Sequence, residues 1–507
     1  MHNSLFFIAV ESRLFGLNPV FWPDSEPQKA VVRKPTFCET DEFHYSYFSI
    51  CLRVSFPNLN SFSILLIDIL IWFHKTRGYF MTISQLLFDP ADLPPAVRYQ
   101  TLFGNLPQFP QQVKRMGRRP LSRNSLLKAL IYKALRKLPT LSDLTFELNN
   151  NPTISQVLGL NPIDAAPSVE RFSAFLHDTP NPQFQEIRRQ LVQILSDEEV
   201  ISVSSVSIDS CPIVVQLKEN NLKTSMANRF DKTRRPAGDP DARLGVLIHY
   251  PAPNKKEVRY FWGYRNHVVL DTTTELPLCE ITHPANVHEI KVAKSLLLQA
   301  KEIFHLPIEW VLGDANFDSE DFLTFIIKEL NARPIIPHNP RNELKGYSIK
   351  NNQVLCEANL PMYRKGKMRP KRTGILYCQY SCPIVYDKTI RSQYITCPVF
   401  HPKFFNQKGC NALIRLERSI RDEIGYDTQQ FKDLYSSRTA VERVFSRLLS
   451  IAMQNPTVRG LVAIQNHATI AHIAVLLVAL TAHRTGQKDK IRFVRSFVPK
   501  FMSGHDQ

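Results

Sequence analysis

Long hydrophobic runs are scarce in this sequence. The run Phe62–Phe73 is apolar but short and contains Asp68, whereas a membrane-spanning helix needs about 20 apolar residues. A second run, Ala468–Ala482, contains His472 and lies between polar segments, which predicts a buried core helix. No basic segment precedes an apolar stretch at the N-terminus. We therefore predict no signal peptide and no membrane partner.

Paired cysteines and an excess of acidic residues are also lacking. The nine cysteines are an odd number and lie scattered along the chain, which argues against a secreted disulfide scaffold and favours a reducing cytoplasm. The 63 Lys and Arg outnumber the 46 Asp and Glu, for a formal net charge of +17. Such an excess indicates nucleic acid or an anionic membrane as partner. Because no lipid-binding amphipathic helix stands out, nucleic acid is favoured.

The length of 507 residues, 44% of them hydrophobic, predicts two or three globular domains. Residues 1–80 are rich in Phe and Ser without a sustained period, and a second Met stands at position 81. We expect residues 1–80 to be a divergent extension outside the native protein. The alternative is a divergent N-terminal domain.

Residues 81–195 predict a helical, DNA-binding domain. Ser122 is placed to cap one helix, and a second is expected to start after Thr140. Pro152 and Pro167 are expected to open two more. The lead-in to the first helix is basic through Lys114, Arg115, Arg118, Arg119 and Arg123. This arrangement is typical of a DNA-binding module, and equally of a plain bundle with a solvated basic edge.

Residues 196–337 alternate between strand and helix patterns. Three leading strands are expected to be antiparallel, and two later strands to enter through helical crossovers. The predicted elements are 201–208, 244–250, 259–270, 287–304 (helix), 308–312, 318–330 (helix) and 334–336. A basic, β-rich insertion at 338–430 interrupts this core, helices return at 431–485, and a basic tail follows at 486–507. The fold class is thus α/β, with a mixed sheet, a preceding helical domain and a β-rich insertion.

Three acidic residues occupy positions suited to a metal site. Asp209 is expected to end the first strand and Asp314 the fourth, where ligands of an α/β sheet collect. Glu442 lies on a predicted helix from which it can project back to the strand ends. Clustered carboxylates repel unless a cation lies among them, and oxygen ligands select Mg²⁺ or Mn²⁺. Any one of these acids taken alone would favour the simpler interpretation of an isolated surface or capping residue; their order on strand, strand and helix favours the site.

The sequence resembles the insertion-sequence DDE transposases over roughly residues 120–480. The matching segments are SIDS at 207–210, FWGYRNHVVLDTTTELPL at 261–278, HPANVHE at 283–289, VLGDANFDS at 311–319 and YSSRTAVERVFSRL at 435–448. The resemblance implies an RNase H-like, retroviral-integrase-type core with Asp209, Asp314 and Glu442 as catalytic ligands of two metal ions. It implies cleavage of transposon ends, strand transfer into target DNA, a homodimer on DNA and a place at the bacterial nucleoid.

The last segment carries the most specific part of the resemblance. The insertion-sequence-four group has Tyr, Arg, Glu and Lys at fixed spacings, and Tyr435, Arg438 and Glu442 stand at the first three. The Lys position holds Leu449, with Arg447 two residues earlier. The resemblance implies that Tyr435 and Arg438 grip the DNA and that Arg447 or another base replaces the Lys. On one helix, residues at i, i+3 and i+7 share a face.

Other candidate residues have two interpretations each. His267 is either near DNA or a core histidine, and Asp318 is expected to cap the helix that follows it. The insertion carries a basic run that indicates a phosphate partner or a solvated loop: Arg364, Lys365, Lys367, Arg369, Lys371 and Arg372. It also holds Cys356, Cys378, Cys382, Cys397 and Cys410, of which the Cys378–Cys382 spacing could bind zinc.

Two alternatives to a transposase remain open from the sequence. The same carboxylates could serve a nuclease that hydrolyses DNA without joining it, or the acids could be remnants in a DNA-binding protein without catalysis. Three intact carboxylates argue against the latter.

Overall fold

The computed structural model describes residues 94–497, except for 112–119, 202, 222–230, 232, 234, 253–254, 305–307, 340–345, 372–373 and 407. It also describes the backbone of two short antiparallel strands, β1 (Trp72–Phe73) and β2 (Phe80–Met81). The described residues belong to one compact unit, residues 71–507. Most of the expected extension 1–80, four of the five basic lead-in residues, Arg372 and the end of the basic tail lie outside the described residues.

The described residues up to 197 form six helices. They are α1 (Pro95–Gly104), α2 (Arg123–Leu135), α3 (Leu141–Asn150), α4 (Pro152–Val157), α5 (Val169–Asp178) and α6 (Asn181–Asp197). The cap predicted at Ser122 is confirmed, and so is the helix start predicted after Thr140, since each of these side chains accepts a hydrogen bond from the N–H three residues later. Helices α1 and α6 were not predicted. Each follows a proline that makes no side-chain cap, so the usual start signal is missing.

A six-stranded mixed sheet forms the next part of the chain. Its strands are β3 (Ser205–Val214), β4 (Arg243–Ala252), β5 (Lys255–Asp271), β6 (Leu276–Pro284), β7 (Trp310–Leu312) and β8 (Arg333–Ile335). The order is β4–β5–β3–β7–β8, with β6 also paired to β5. Pairs β4–β5, β3–β5 and β5–β6 are antiparallel, whereas β3–β7 and β7–β8 are parallel. The predicted mixed sheet is confirmed, and β6 is an unpredicted addition.

Two helices lead into the parallel strands β7 and β8. Helix α7 (Glu289–Phe304) joins β6 to β7, and α8 (Glu320–Thr324) continues through a π-helical turn at Phe325–Glu329 towards β8. The expectation that Asp318 caps α8 is wrong. Ser319 is the N-cap, and Asp318 is buried in an ion pair with Arg421 at 2.8 Å.

Short elements follow between residues 346 and 416. They are β9 (Tyr347–Lys350), β10 (Gln353–Cys356), β11 (Tyr363–Met368), β12 (Tyr377–Ser381), α9 (Pro383–Tyr386), α10 (Lys388–Arg391), α11 (Pro402–Phe405) and β13 (Asn411–Arg415). Strands β9 and β10 pair as a hairpin, and a second sheet has the order β11–β12–β13. Strand β11 therefore lies at an edge of its sheet.

Three helices complete the unit: α12 (Gln429–Ser436), α13 (Ala440–Ser450) and α14 (Leu461–Arg484). Helix α14 alone among the described helices has the length and hydropathy of a membrane span, yet 78% of its most apolar stretch is buried. It packs against α2, α5, α6 and β6. Within it, His472 is buried and its Nε2 lies 2.9 Å from Asn266 Oδ1. The predicted buried core helix is confirmed, and through it the N-terminal helices and the sheet share one core.

Candidate active site

Asp209 and Asp314 lie side by side. Strands β3 and β7 pair in parallel up to Ser207 and Leu312, and each aspartate stands two residues beyond its strand's last pair. The expectation that Asp209 ends its strand is wrong. On its other side β3 continues through Val214, because the long antiparallel strand β5 still offers partners there.

The two carboxyl groups share one electrostatic environment. Burial, and then the neighbouring Asp314, raise the pKa of Asp209 to about 7. Burial also raises the pKa of Asp314. The Asp314 carboxylate is held in place by Asn316, whose backbone N–H and side-chain Nδ2 donate to it at 2.9 and 2.8 Å. Two half-buried acids are thus fixed together where their negative charges repel.

Arg438 connects this pair to Glu442. Its Nη1 lies 3.4 Å from Asp209 Oδ2, and its Nη2 donates to Glu442 Oε1 at 2.9 Å. The Glu442 side chain is 62% exposed, so it can change position at low cost. A 3₁₀ turn at Ser437–Thr439 separates α12 from α13, so the expectation of one uninterrupted helix is wrong. Glu442 nevertheless lies at the site, because Arg438 contacts both its carboxylate and that of Asp209.

Glu289 belongs to the same cluster and was not predicted. Its Oε1 accepts hydrogen bonds of 2.6 Å from both Ser210 Oγ and Arg265 Nη1. Arg265 Nη2 also donates to the Val246 carbonyl at 2.7 Å. After burial, Glu289 is a further cause of the raised pKa of Asp209 and Asp314. Its one signal in the sequence is its place as the last residue of the segment HPANVHE.

Tyr435 lies half-buried on α12. Its ring stacks on Phe431 with centroids 6.3 Å apart, and it packs against the cluster formed by Leu312, Ile335 and Phe431. Helix α12 is thus anchored over the ends of β7 and β8. Tyr435 consequently stands three residues before Arg438 on a firmly packed support.

Two residues expected near DNA are buried instead. His267 is 3% exposed within β5, and burial lowers its pKa to about 3, so the ring is neutral. Arg447 is buried and forms an ion pair with the buried Glu275 carboxylate, while its Nη1 donates to the Glu275 carbonyl at 2.9 Å. Burial argues against direct DNA contacts for both residues. His267 fits the alternative of a core histidine.

The basic run lies on an ordered edge strand, β11, and the loop after it. Arg364, Lys365 and Lys367 are exposed on this strand, with Arg369 and Lys371 exposed just beyond it. Lys365 Nζ lies 4.1 Å from the centre of the Tyr386 ring, and Arg369 pairs with Glu417 at 2.7 Å. Within the described residues the run is therefore a structured positive surface.

Comparisons with known proteins point to one class. A family model described as a transposase DDE domain matches residues 230–477, and a second, described as a transposase domain (DUF772), matches residues 95–178. No curated protein gives a significant match. Among solved structures, a piggyBac transposase synaptic complex with hairpin DNA is 12% identical, with 81% of each chain covered and a TM-score of 0.32.

A Mos1 transposase paired-end complex is 14% identical, with 46% of this chain and 63% of that chain covered and a TM-score of 0.15. At these TM-scores the structural similarities carry no weight of their own. The two family matches together account for more than half of the sequence. The chain belongs to the insertion-sequence DDE transposases, enzymes that cut DNA and transfer its strands.

Proposed function

We propose that Asp209, Asp314 and Glu442 are the catalytic metal ligands of this transposase. The observation that carries the proposal is that Asp209 and Asp314 each stand two residues beyond the last parallel pair of β3 and β7, with Arg438 bridging Asp209 to Glu442. We further propose that the sheet, three antiparallel strands leading into two parallel ones, is the RNase H-like core that the resemblance implies.

The chemistry of the site fits a hard divalent cation. Two half-buried carboxylates with raised pKa values and a third, exposed carboxylate form an oxygen donor set. Mg²⁺ or Mn²⁺, bound as two ions, would activate a water or a 3′-hydroxyl and stabilise the leaving oxygen of a phosphodiester. Within this chain, Asn316 fixes the Asp314 carboxylate, and the Ser210–Glu289–Arg265 cluster supports the strand next to Asp209.

Arg438 is the proposed contact to the cleaved strand. A guanidinium has five N–H donors, and its two contacts here to Asp209 and Glu442 leave others for a phosphate. Tyr435 stands three residues before it, near the end of α12. The Tyr, Arg and Glu spacing supports assignment to the insertion-sequence-four group. The proposed partners are transposon ends and target DNA at the bacterial nucleoid, bound by a homodimer.

The function is tested with a plasmid in which a marker gene is flanked by the inverted repeats that border the transposase gene. Purified protein with Mg²⁺ and a second, target plasmid should yield excised marker and covalently joined target products. Cut ends without any joined product would instead indicate a nuclease.

Metal binding should depend on pH. Because the pKa of Asp209 is raised to about 7, a proton must leave before the carboxylate can bind an ion. We expect Mn²⁺ affinity, measured by calorimetry, to rise about fivefold between pH 6 and pH 7 and to level off above pH 8. Asp209→Asn should weaken Mn²⁺ binding and remove the part of the pH dependence that Asp209 contributes, while Asp314, whose pKa is also raised, keeps its own part. Cleavage should stop in excess EDTA and should not return with zinc alone, and full cleavage in EDTA would contradict the metal site.

The basic run should contribute to the salt dependence of DNA binding. Each neutralised phosphate adds about −0.9 to the slope of log affinity against log salt. If four of the six residues from Arg364 to Arg372 contact phosphates, changing all six to Gln should flatten that slope by about three to four units. Binding to specific and random DNA should weaken together, because phosphate contacts do not read bases. An unchanged slope would show that β11 faces solvent in the complex.

A further inference from the structure

Cysteines from distant parts of the chain converge between residues 346 and 416. Cys356 ends β10, Cys382 precedes α9, and Cys410 precedes β13. The Cys410 thiol is within hydrogen-bonding distance of both the Cys356 and Cys382 sulfur atoms. Cys410 therefore lies between the other two cysteines, and the three side chains form one group.

Backbone N–H groups point at two of these sulfur atoms. The Cys356 sulfur accepts hydrogen bonds from the N–H groups of Ala358 and Leu360. The Cys382 sulfur accepts from the N–H groups of Ile384, Val385 and Cys410. Donors arranged in this way stabilise a thiolate, which is the form that ligates metal.

The backbone around the cluster is shaped for this close approach. Gly409 has a φ of +59°, and a Cβ at this position would overlap the Cβ of Cys382. Only glycine allows the chain to bring Cys410 this close to Cys382.

A fourth cysteine lies in the same place. Cys397 is buried with Cys382 and Ile384 in one apolar cluster, and Cys410 packs against that cluster. Cys378 has a different environment, because its sulfur accepts a hydrogen bond from Arg364 Nε at 3.3 Å. The cysteine pair suggested by sequence spacing, Cys378 and Cys382, is therefore replaced by a set drawn from four separate segments.

We propose that Cys356, Cys382, Cys397 and Cys410 bind a structural Zn²⁺ ion. Four thiolates, three of them buried and that of Cys410 half-buried, suit tetrahedral zinc, and a site with four protein ligands leaves no open position for catalysis. The ion would fasten the β9–β10 hairpin, the turn into α9 and the start of β13. The two apolar clusters here are small, and a small module with little core gains most from such a fastening. It would also hold the sheet that carries the basic strand β11.

The test measures metal content in untagged, full-length protein purified without chelators. Elemental analysis should find one zinc per chain in the wild type. Cys378→Ser is the matched control, a buried cysteine outside the set, and it should retain the zinc. Cys382→Ser and Cys397→Ser should lose most of it. A thiol-specific mercurial should release the wild-type zinc to a colorimetric chelator.

The wild-type measurement decides the question even if a cysteine variant does not fold. A wild type without zinc, an iron–sulfur absorption spectrum, or a disulfide among these cysteines in non-reduced peptide mapping would overturn the proposal. Loss of zinc in Cys378→Ser with retention in Cys397→Ser would overturn the ligand set. Asp209→Asn should keep its full zinc content, so this result is separate from the fate of the catalytic assignment.

Discussion

Asp209→Asn, Asp314→Asn and Glu442→Gln are each expected to reduce cleavage of transposon ends by at least about 10³-fold. Each change removes a negatively charged oxygen ligand and leaves the size of the side chain nearly unchanged. The exposed positive surface of β11 is untouched, so affinity for end DNA should stay within about twofold of wild type. Single-turnover cleavage and equilibrium binding on the same duplex provide the measurement.

Asp321→Asn is the matched control for these variants. Asp321 lies on the neighbouring helix α8, its side chain is 81% exposed, and it pairs with Lys294 at the surface. This variant should cut like the wild type. Wild-type cleavage by any of the three carboxylate variants would remove that residue from the site.

Part of this site could be predicted from the sequence, and part could not. Asp209, Asp314 and Glu442 stood out because short motifs and strand or helix patterns mark them. Glu289 did not, because its link to Asp209 runs through Ser210 and Arg265, which only the paired strands bring together. The spacing of Arg447 along the chain predicted a contact with DNA, whereas in the folded chain its partner is Glu275.

Arg447→Met is expected to lower the free energy of unfolding by about 2–4 kcal/mol. Its guanidinium is the buried partner of Glu275, a carboxylate that is itself buried, and removal leaves that charge less well compensated. Arg443 and Arg492 also contact Glu275, which keeps the effect below that of a lone buried pair. Chemical denaturation, compared with wild type, measures the change.

Arg443→Met provides the control, because Arg443 contacts the same carboxylate at 2.7 Å but is 51% exposed. Its loss should cost less than about 1 kcal/mol. Neither variant should alter the salt dependence of DNA binding. If Arg447→Met kept wild-type stability while flattening that dependence, the residue would be a DNA contact and its assignment to the core would fail.

Elements with a local sequence signal, such as a capping residue, could be predicted, and elements without one could not. The helices at Arg123–Leu135 and Leu141–Asn150 were predictable because Ser122 and Thr140 cap them. Strand β6 was not, because most of its residues are buried whichever face they occupy, so no polar alternation marks it. The cysteine cluster also escapes sequence reasoning, since spacing along the chain does not reveal which thiols meet in space.

The central claim, that these carboxylates bind the catalytic metal, is tested most directly by changing the softness of one ligand. Asp314→Cys replaces a hard oxygen with a sulfur that binds Mg²⁺ poorly and Mn²⁺ better. The variant should bind end DNA, fail to cut in Mg²⁺ and recover cleavage in Mn²⁺, while Asp321→Cys should cut equally with both ions. Cleavage by Asp314→Cys at the wild-type rate in Mg²⁺, or no recovery in Mn²⁺ despite normal DNA binding, would contradict the assignment.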